Sequence, residues 1–337
     1  MHFCRQSHIF HQRIVVFSCA LIFVFLFNSI TPPSVWAATD YYRIVVLGDP
    51  HLPYKPAFWD KSTRQNKVMA AKEQLLTHLN AWNDIDLVVA VGDIAGGFGL
   101  DKEYEYAQDY FARLRHPYTA VTGNHDYIYA DHWSPGFHWP WGNEKNRQKK
   151  LERFRATFGL TELFQSRRAG PCLLIFLSAD MISGNQYQTQ VSQRQLNWLR
   201  SELAANPGIP TIIFNHAPLK GTLSDEFPRA NASQQIAQPH AIMRDIILHH
   251  PQIFLWVSGH LHVPATNENF NSPINLFEKQ VLNIHNTDLD RENQWTNSLY
   301  IYADRVVIRT YAHKQKTWLP KLDRVVLFPV QLKPLTD

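Results

Sequence analysis

Apolar positions along the chain fall into two textures. Up to residue 257, short continuous apolar runs alternate with segments of helical spacing; beyond it, short runs follow one another directly. Residues 43–47 predict a buried strand and 62–80 a helix with Val68, Leu75, Leu76 and Leu79 on one face. Residues 87–91 predict a second buried strand, 101–115 a helix with Asp101 as its N-cap, and 118–121 a third strand. The stretch 127–142 carries Trp133, Phe137, Trp139 and Trp141 among prolines and glycines and reads as a long ordered loop. Further on, helices are predicted over 146–158, 192–205 (capped by Ser192) and 234–249, and strands over 173–177, 211–214 and 253–257. The tail predicts strands alone, over 281–284, 298–302, 306–311 and 324–328. Strand–helix alternation followed by a strand-only tail implies an α/β fold: a layered body closed by a second sheet.

The first 37 residues follow a different logic. Arg5 and Arg13 precede the apolar run 14–27, Pro32 and Pro33 break any helix, and Val35–Trp36–Ala37 resembles a small-x-small cleavage site. The run is shorter than the ~20 residues that a spanning helix needs. Residues 1–37 are therefore expected to be a signal peptide cleaved after Ala37, with 38–337 a single exported domain, periplasmic or extracellular. An uncleaved membrane anchor is the alternative; otherwise the membrane is met only transiently. Cys4 and Cys19 lie in that segment, so Cys172 stands alone in the mature chain and is expected to be a core residue with no disulfide partner.

Charge removes one class of function. Arg5 and Arg13 are the only charged residues before Ala37, which leaves 31 basic against 29 acidic side chains after it. That near-balance gives no footprint for nucleic acid. The 17 histidines are more informative, because imidazole is a frequent metal ligand.

Five predicted strands each run into potential ligands. They supply Asp49 and His51, then Asp93, Asn124 with His125, His216, and His260 with His262. A lone Asp49–Pro50–His51 is usually a turn and a lone Gly92–Asp93 a strand end; together and in order, chance does not produce them. Carboxylates, imidazoles and one amide without a thiolate suit Mn, Fe, Zn or Co. The set is too large for one ion and suits two that share a carboxylate. On extended backbone, residues i and i+2 share a face, which would aim Asp49 with His51, and His260 with His262, at one place.

The ordered blocks Asp49-x-His51, Gly92–Asp93, Gly123–Asn124–His125–Asp126, His216 and Gly259–His260-x-His262 resemble the calcineurin-like metallophosphoesterase superfamily. The resemblance implies a four-layer α-β-β-α sandwich with two mixed sheets and a dimetal site. It implies that Asp49, His51 and His262 hold a first ion, that Asp93 bridges, and that Asn124, His216 and His260 hold a second. It further implies that a dimetal-activated hydroxide attacks phosphorus, that His125 protonates the leaving oxygen, and that Asp126 orients His125. Departures narrow the group. Ile94, Ala95, Gly96 and Gly97 after Asp93 break the pattern of the protein serine/threonine phosphatases, and Gly96 stands where purple acid phosphatases carry a tyrosine. The blocks are similar to those of class III cyclic-nucleotide phosphodiesterases and their relatives. The expected partner is a small phosphate ester, with the aromatic stretch 127–141 stacking on a base or sugar or else packing on itself. A nucleotide-sugar type pyrophosphatase, a nuclease and a metal-stabilised non-catalytic binding protein are the competing readings. Asn231–Ala232–Ser233 fits a glycosylation sequon.

Overall fold

Alternation along each strand assigns its side chains to two layers. The computed structural model describes residues 41–56, 62–133, 139–184 and 187–329. Its first strand, β1 (Tyr42–Leu47), turns Ile44 and Val46 into one apolar layer and Val45 and Leu47 into another. Along the chain follow α1 (Ser62–Ala81), β2 (Leu87–Val91), α2 (Asp101–Ala112), β3 (Tyr118–Val121), α3 (Asn124–Tyr127), α4 (Glu144–Thr157), β4 (Gln165–Ala169) and β5 (Cys172–Leu177). Then come α5 (Gln193–Ala205), β6 (Thr211–Asn215), α6 (His240–His249), β7 (Ile253–Ser258), β8 (Leu276–Phe277) and β9 (Val281–His285). The strands β10 (Trp295–Ile301), β11 (Arg305–Ala312), β12 (Thr317–Trp318) and β13 (Arg324–Leu327) complete it.

Two mixed sheets result. The first has the order β12-β11-β10-β1-β2-β3, with β13 also paired to β11; the second has the order β4-β5-β6-β7-β9-β8. Pairing is parallel for β1-β2-β3 and for β5-β6-β7-β9, and antiparallel elsewhere. Their facing sides share one core, from Ile44, Val46, Val89 and Leu299 to Leu174, Phe176, Phe214 and Val257. The outer side of the first sheet packs on Leu75, Leu79, Tyr104, Phe111 and Phe154 of α1, α2 and α4. The outer side of the second packs on Leu196, Leu199, Met243 and Ile246 of α5 and α6. The four-layer α-β-β-α sandwich is therefore the architecture.

The tail does not form a sheet of its own. Strand β10 takes the open edge of β1, in antiparallel register from Tyr42 opposite Ile301 to Val46 opposite Asn297, and β9 takes the open edge of β7 in parallel. Dividing the tail in this way covers two unpaired strand edges, which one separate sheet could not do. Strand β4 escapes the apolar pattern because it is an edge strand of sequence QSRRA: Arg168 is exposed, and Arg167 is half-buried with its guanidinium over the Phe176 ring. Helix α6 begins at His240, not 234, because Pro239 lacks the donor to continue a helix backwards and Gln238 Oε1 accepts from His240 N–H at 2.9 Å. Asp101 is the first helical residue of α2 and does not cap it; Glu103 reaches back to Leu100 N–H at 2.7 Å. Cys172 lies buried in the inter-sheet core. The signal-peptide segment and Phe137 lie outside the described residues. Among the described residues no helix is long and apolar enough to cross a membrane.

The inter-sheet core should carry much of the stability. Phe176 and Phe214 stack there with ring centroids 5.1 Å apart, both essentially inaccessible. Phe176→Ala is expected to lower unfolding free energy by about 3–5 kcal/mol in urea titrations followed by far-ultraviolet circular dichroism.

Candidate metal centre

The parallel strands of both sheets deliver their loops to one edge of the sandwich, and the polar blocks meet there. Asp49 and His51 lie past the end of β1, and His260 and His262 past the end of β7. Their backbones are not extended, so the shared face of i and i+2 is not what brings them together. Asp49, His51, Asp93, His260 and His262 all have positive φ, at 41°, 44°, 51°, 66° and 52°. Few non-glycine residues adopt this left-handed region, although Asp, Asn and His tolerate it best. The chain turns sharply at each ligand, and the turns aim the side chains at one another. Crowding there explains one motif glycine: a Cβ at Gly259 would strike the Asp49 carboxylate.

The side chains form two groups that share Asp93. Asp49, His51, Asp93 and His262 place one potential ligand atom each within 4.8 Å of one another, as do Asp93, His216 and His260. In the first position, His262 Nε2 lies 3.3 Å from Asp49 Oδ1 and 3.4 Å from His51 Nε2, and His51 Nε2 is 3.9 Å from Asp93 Oδ2. In the second, His216 Nε2 lies 3.3 Å from Asp93 Oδ1, 3.2 Å from Asn124 Oδ1 and 3.0 Å from His260 Nδ1. The structure thus brings together all seven residues that the motifs single out as ligands.

Second contacts turn the ligand atoms inward. His216 Nδ1–H donates to Val91 O at 2.8 Å and His260 Nε2–H to Gln234 O at 3.2 Å, tautomers assigned from those carbonyl acceptors. Each ring then keeps its other nitrogen for the site. The Asn124 amide N–H donates to Tyr129 Oη at 3.0 Å, which commits its carbonyl oxygen to the same space. Burial disfavours charge on His216, yet the carboxylates of Asp93 and Asp49 more than reverse this and raise it to about 9. A proton there does part of a cation's work. Two carboxylates, four imidazoles and one amide oxygen, with no thiolate in either group, fit two borderline-to-hard divalent ions.

His125 belongs to neither group. Its backbone N–H donates to Asp93 Oδ1 at 2.8 Å, and its ring Nδ1–H to Gly97 O at 2.7 Å. Burial and the nearby Lys55 hold its pKa down to about 3, so the ring is neutral at pH 7. Trp139 stands edge-on to it with centroids 4.6 Å apart, and Trp139 also meets Tyr129, Trp133 and Phe98. The described part of the aromatic stretch therefore packs on itself and lines the His125 side of the centre. Asp126 bonds backbone instead of the His125 ring. Its Oδ1 accepts from Ile94 and Ala95 N–H, both at 2.9 Å, and its Oδ2 from Gly123 N–H at 2.7 Å, which ties the Asp93 loop to the Asn124 loop.

Five contributors escape a reading of motifs. Glu103 accepts from Gly97 N–H at 2.6 Å and so shapes the loop whose carbonyl holds His125. Tyr129 orients Asn124; Lys72 and Asp290 brace the His51 loop; Asp288 faces His262. Only the doubled acid in Asp288–Leu289–Asp290 hints at any of them in sequence. At the sequon, the Asn231 amide is engaged, donating to Asp225 Oδ1 at 2.6 Å and Leu223 O at 3.2 Å.

Two ion positions sharing one carboxylate, at the edge of a four-layer sandwich, define a binuclear metallohydrolase. The sequence model of the calcineurin-like phosphoesterases matches residues 42–264, and the chain belongs to that family, whose members are phosphate-ester hydrolases. Solved structures agree on the fold. A dimetal phosphatase from Danio rerio is similar with a TM-score of 0.54 at 13% identity, over 85% of this chain and 99% of that one. The purple acid phosphatase PPD1 from yellow lupin (Lupinus luteus) gives 0.56 at 12%, over 86% of this chain and 54% of that one. GAP50, the anchor in the inner membrane complex of Plasmodium, gives 0.55 at 10%, over 88% and 91%. No curated protein sequence matches the chain. The likeness to the lupin enzyme leaves the departure at position 96 in place: the Leu52 and Tyr54 carbonyls and Glu103 crowd Gly96, with no room for a ring on that backbone.

Asp93 is the one side chain common to both positions. Asp93→Asn should therefore reduce retention of both ions after dialysis against Mn²⁺-free buffer, measured by elemental analysis. Loss confined to one ion would show that the carboxylate is not shared.

Proposed function

We propose that the chain is an exported, metal-dependent phosphoesterase that hydrolyses phosphomonoesters or small phosphodiesters. The pair of ligand groups sharing Asp93, with His125 beside them and outside both, carries this reading. Two divalent ions held there supply an acidified water and neutralise charge on the phosphate oxygens. The chain's own residues do the rest. Asp49, His51 and His262 hold one ion, Asn124, His216 and His260 the other, and Asp93 both. His125 delivers a proton to the leaving oxygen. Gly97 O occupies Nδ1–H, which leaves Nε2 as the nitrogen that exchanges a proton. A bound phosphate brings negative charge beside the ring and so raises its affinity for that proton.

Two further features shape the substrate. The near-balance of charge favours a small ester over a polyanion. The wall of Trp139, Trp133 and Phe98 next to His125 favours a flat leaving group, aryl or nucleoside, on the side where the proton is given. The layout of residues 1–37, that of a cleaved signal, favours export.

A panel of phosphomonoesters, cyclic nucleotides, dinucleotides and pyrophosphates with added Mn²⁺ tests the reading; turnover of pyrophosphates alone would replace it. His125→Ala should keep its metal content yet slow hydrolysis of an alkyl ester by about 10²–10⁴-fold. The loss should shrink for p-nitrophenyl phosphate, whose leaving oxygen needs no proton. Equal losses on the two esters would exclude His125 as the acid. Trp139→Ala should raise KM for aryl or nucleoside esters by about 3–10-fold while small alkyl esters change little. Steady-state kinetics on matched esters reads this directly.

A further inference from the structure

The loop that follows β9, residues 286–291, lies beyond the segment 42–264 matched by the family model, yet it braces the first ion position. Leu289 N–H donates to Asp49 O at 3.1 Å and Asn286 N–H to Ser258 O at 2.9 Å. Asp290 accepts from Lys55 N–H at 2.9 Å and from Lys72 Nζ at 3.3 Å. The buried Lys72 ammonium also donates to His51 O at 2.8 Å. These bonds hold backbone. Asp288 instead faces the ring of a ligand.

The Asp288 carboxylate is buried; Oδ1 is held by Arg291, and Oδ2 lies 3.8 Å from His262 Nδ1. On the other side of the ring, His262 Nε2 faces Asp49 and His51 at 3.3 and 3.4 Å. The imidazole therefore stands between the ion position and a carboxylate. A separation of 3.8 Å is too long for a hydrogen bond, so the effect is electrostatic, and it is strengthened by burial. A carboxylate behind a ligating imidazole favours the tautomer with its proton on the far nitrogen and makes the near one a better donor to metal. The other ligand rings differ. The far nitrogens of His51, His216 and His260 face the backbone carbonyls of Ala95, Val91 and Gln234.

We propose that Asp288 is a positioning residue for the first ion: it turns His262 Nε2 toward Asp49 and His51, and so sets affinity at that position and not at the second. The inference rests on the two-ion reading above, and the test separates the two. His260→Ala should leave only the first ion and His51→Ala only the second, as counted by Mn²⁺ titration and electron paramagnetic resonance. If these variants do not each lose one ion, the two-ion reading fails. If they do, Asp288→Asn should weaken Mn²⁺ binding by about 10–100-fold in the His260→Ala background and leave the His51→Ala background unchanged. Asp288→Glu keeps the charge and should retain first-ion affinity within about threefold of Asp. Equal weakening in both backgrounds, or none in either, overturns the proposal. Should Asp288→Asn fail to fold, judged by circular dichroism, Asp288→Glu decides: a tenfold or greater loss with the fold intact overturns it, and retention supports it.

Discussion

Everything at the working edge depends on burying the Asp93 carboxylate among imidazoles. Asp93 is 1% exposed, and a carboxylate in that setting needs cations or donors on every side. It receives the His125 backbone N–H, faces His216 at 3.3 Å and His51 at 3.9 Å, and stands between the two ligand groups. The lifted pKa of His216 expresses the same demand, since it is the proton that answers the charge of Asp93 and Asp49. The donor set thus suits cations more highly charged than a proton. The left-handed backbone at five of its ligands is strain that the surrounding sheets must hold in place.

The fold supplies that rigidity. Two parallel sets of strands end at the same edge, and an apolar core between the sheets fixes their relative heights. The parallel halves bring ligands from distant stretches: Asp49 to Asn124 from the first sheet, His216 to His262 from the second. The tail strands then close one free edge on each sheet. Covering β7 with β9 also places residues 286–291 under the first ion position, so the tail both seals an edge and supports the chemistry.

Much of the site's outer support is polar contact with backbone carbonyls and amides. Glu103, Asp126 and Lys72 each hold two or more main-chain groups, and each of those groups belongs to a loop that carries or faces a ligand. Buried ionic groups of this kind are costly unless fully bonded, and here they trade that cost for loop geometry. The aromatic wall of Phe98, Trp133 and Trp139 adds an apolar side to a centre that is otherwise imidazole and carboxylate.

The sequence alone determined the strands that are buried on both faces, because continuous apolar runs such as Leu87–Val91 have one stable use. It also determined the ligand types, since each polar block interrupts such a run at its end. It did not determine the partners of the tail strands, which depend on which edges remain unpaired once the two halves pack. Nor did it determine how Asp49 and His51 converge: extended spacing predicted a shared face, whereas the chain uses left-handed turns that only the packed neighbours stabilise. Edge strand β4 stayed hidden because an edge needs charge more than apolar alternation. The roles of Glu103, Tyr129 and Asp288 were not legible for a related reason, the doubled acid at 288 and 290 being the one hint. Their work lies in contacts with residues up to 26 positions away, and no local pattern records where a side chain will find its acceptor.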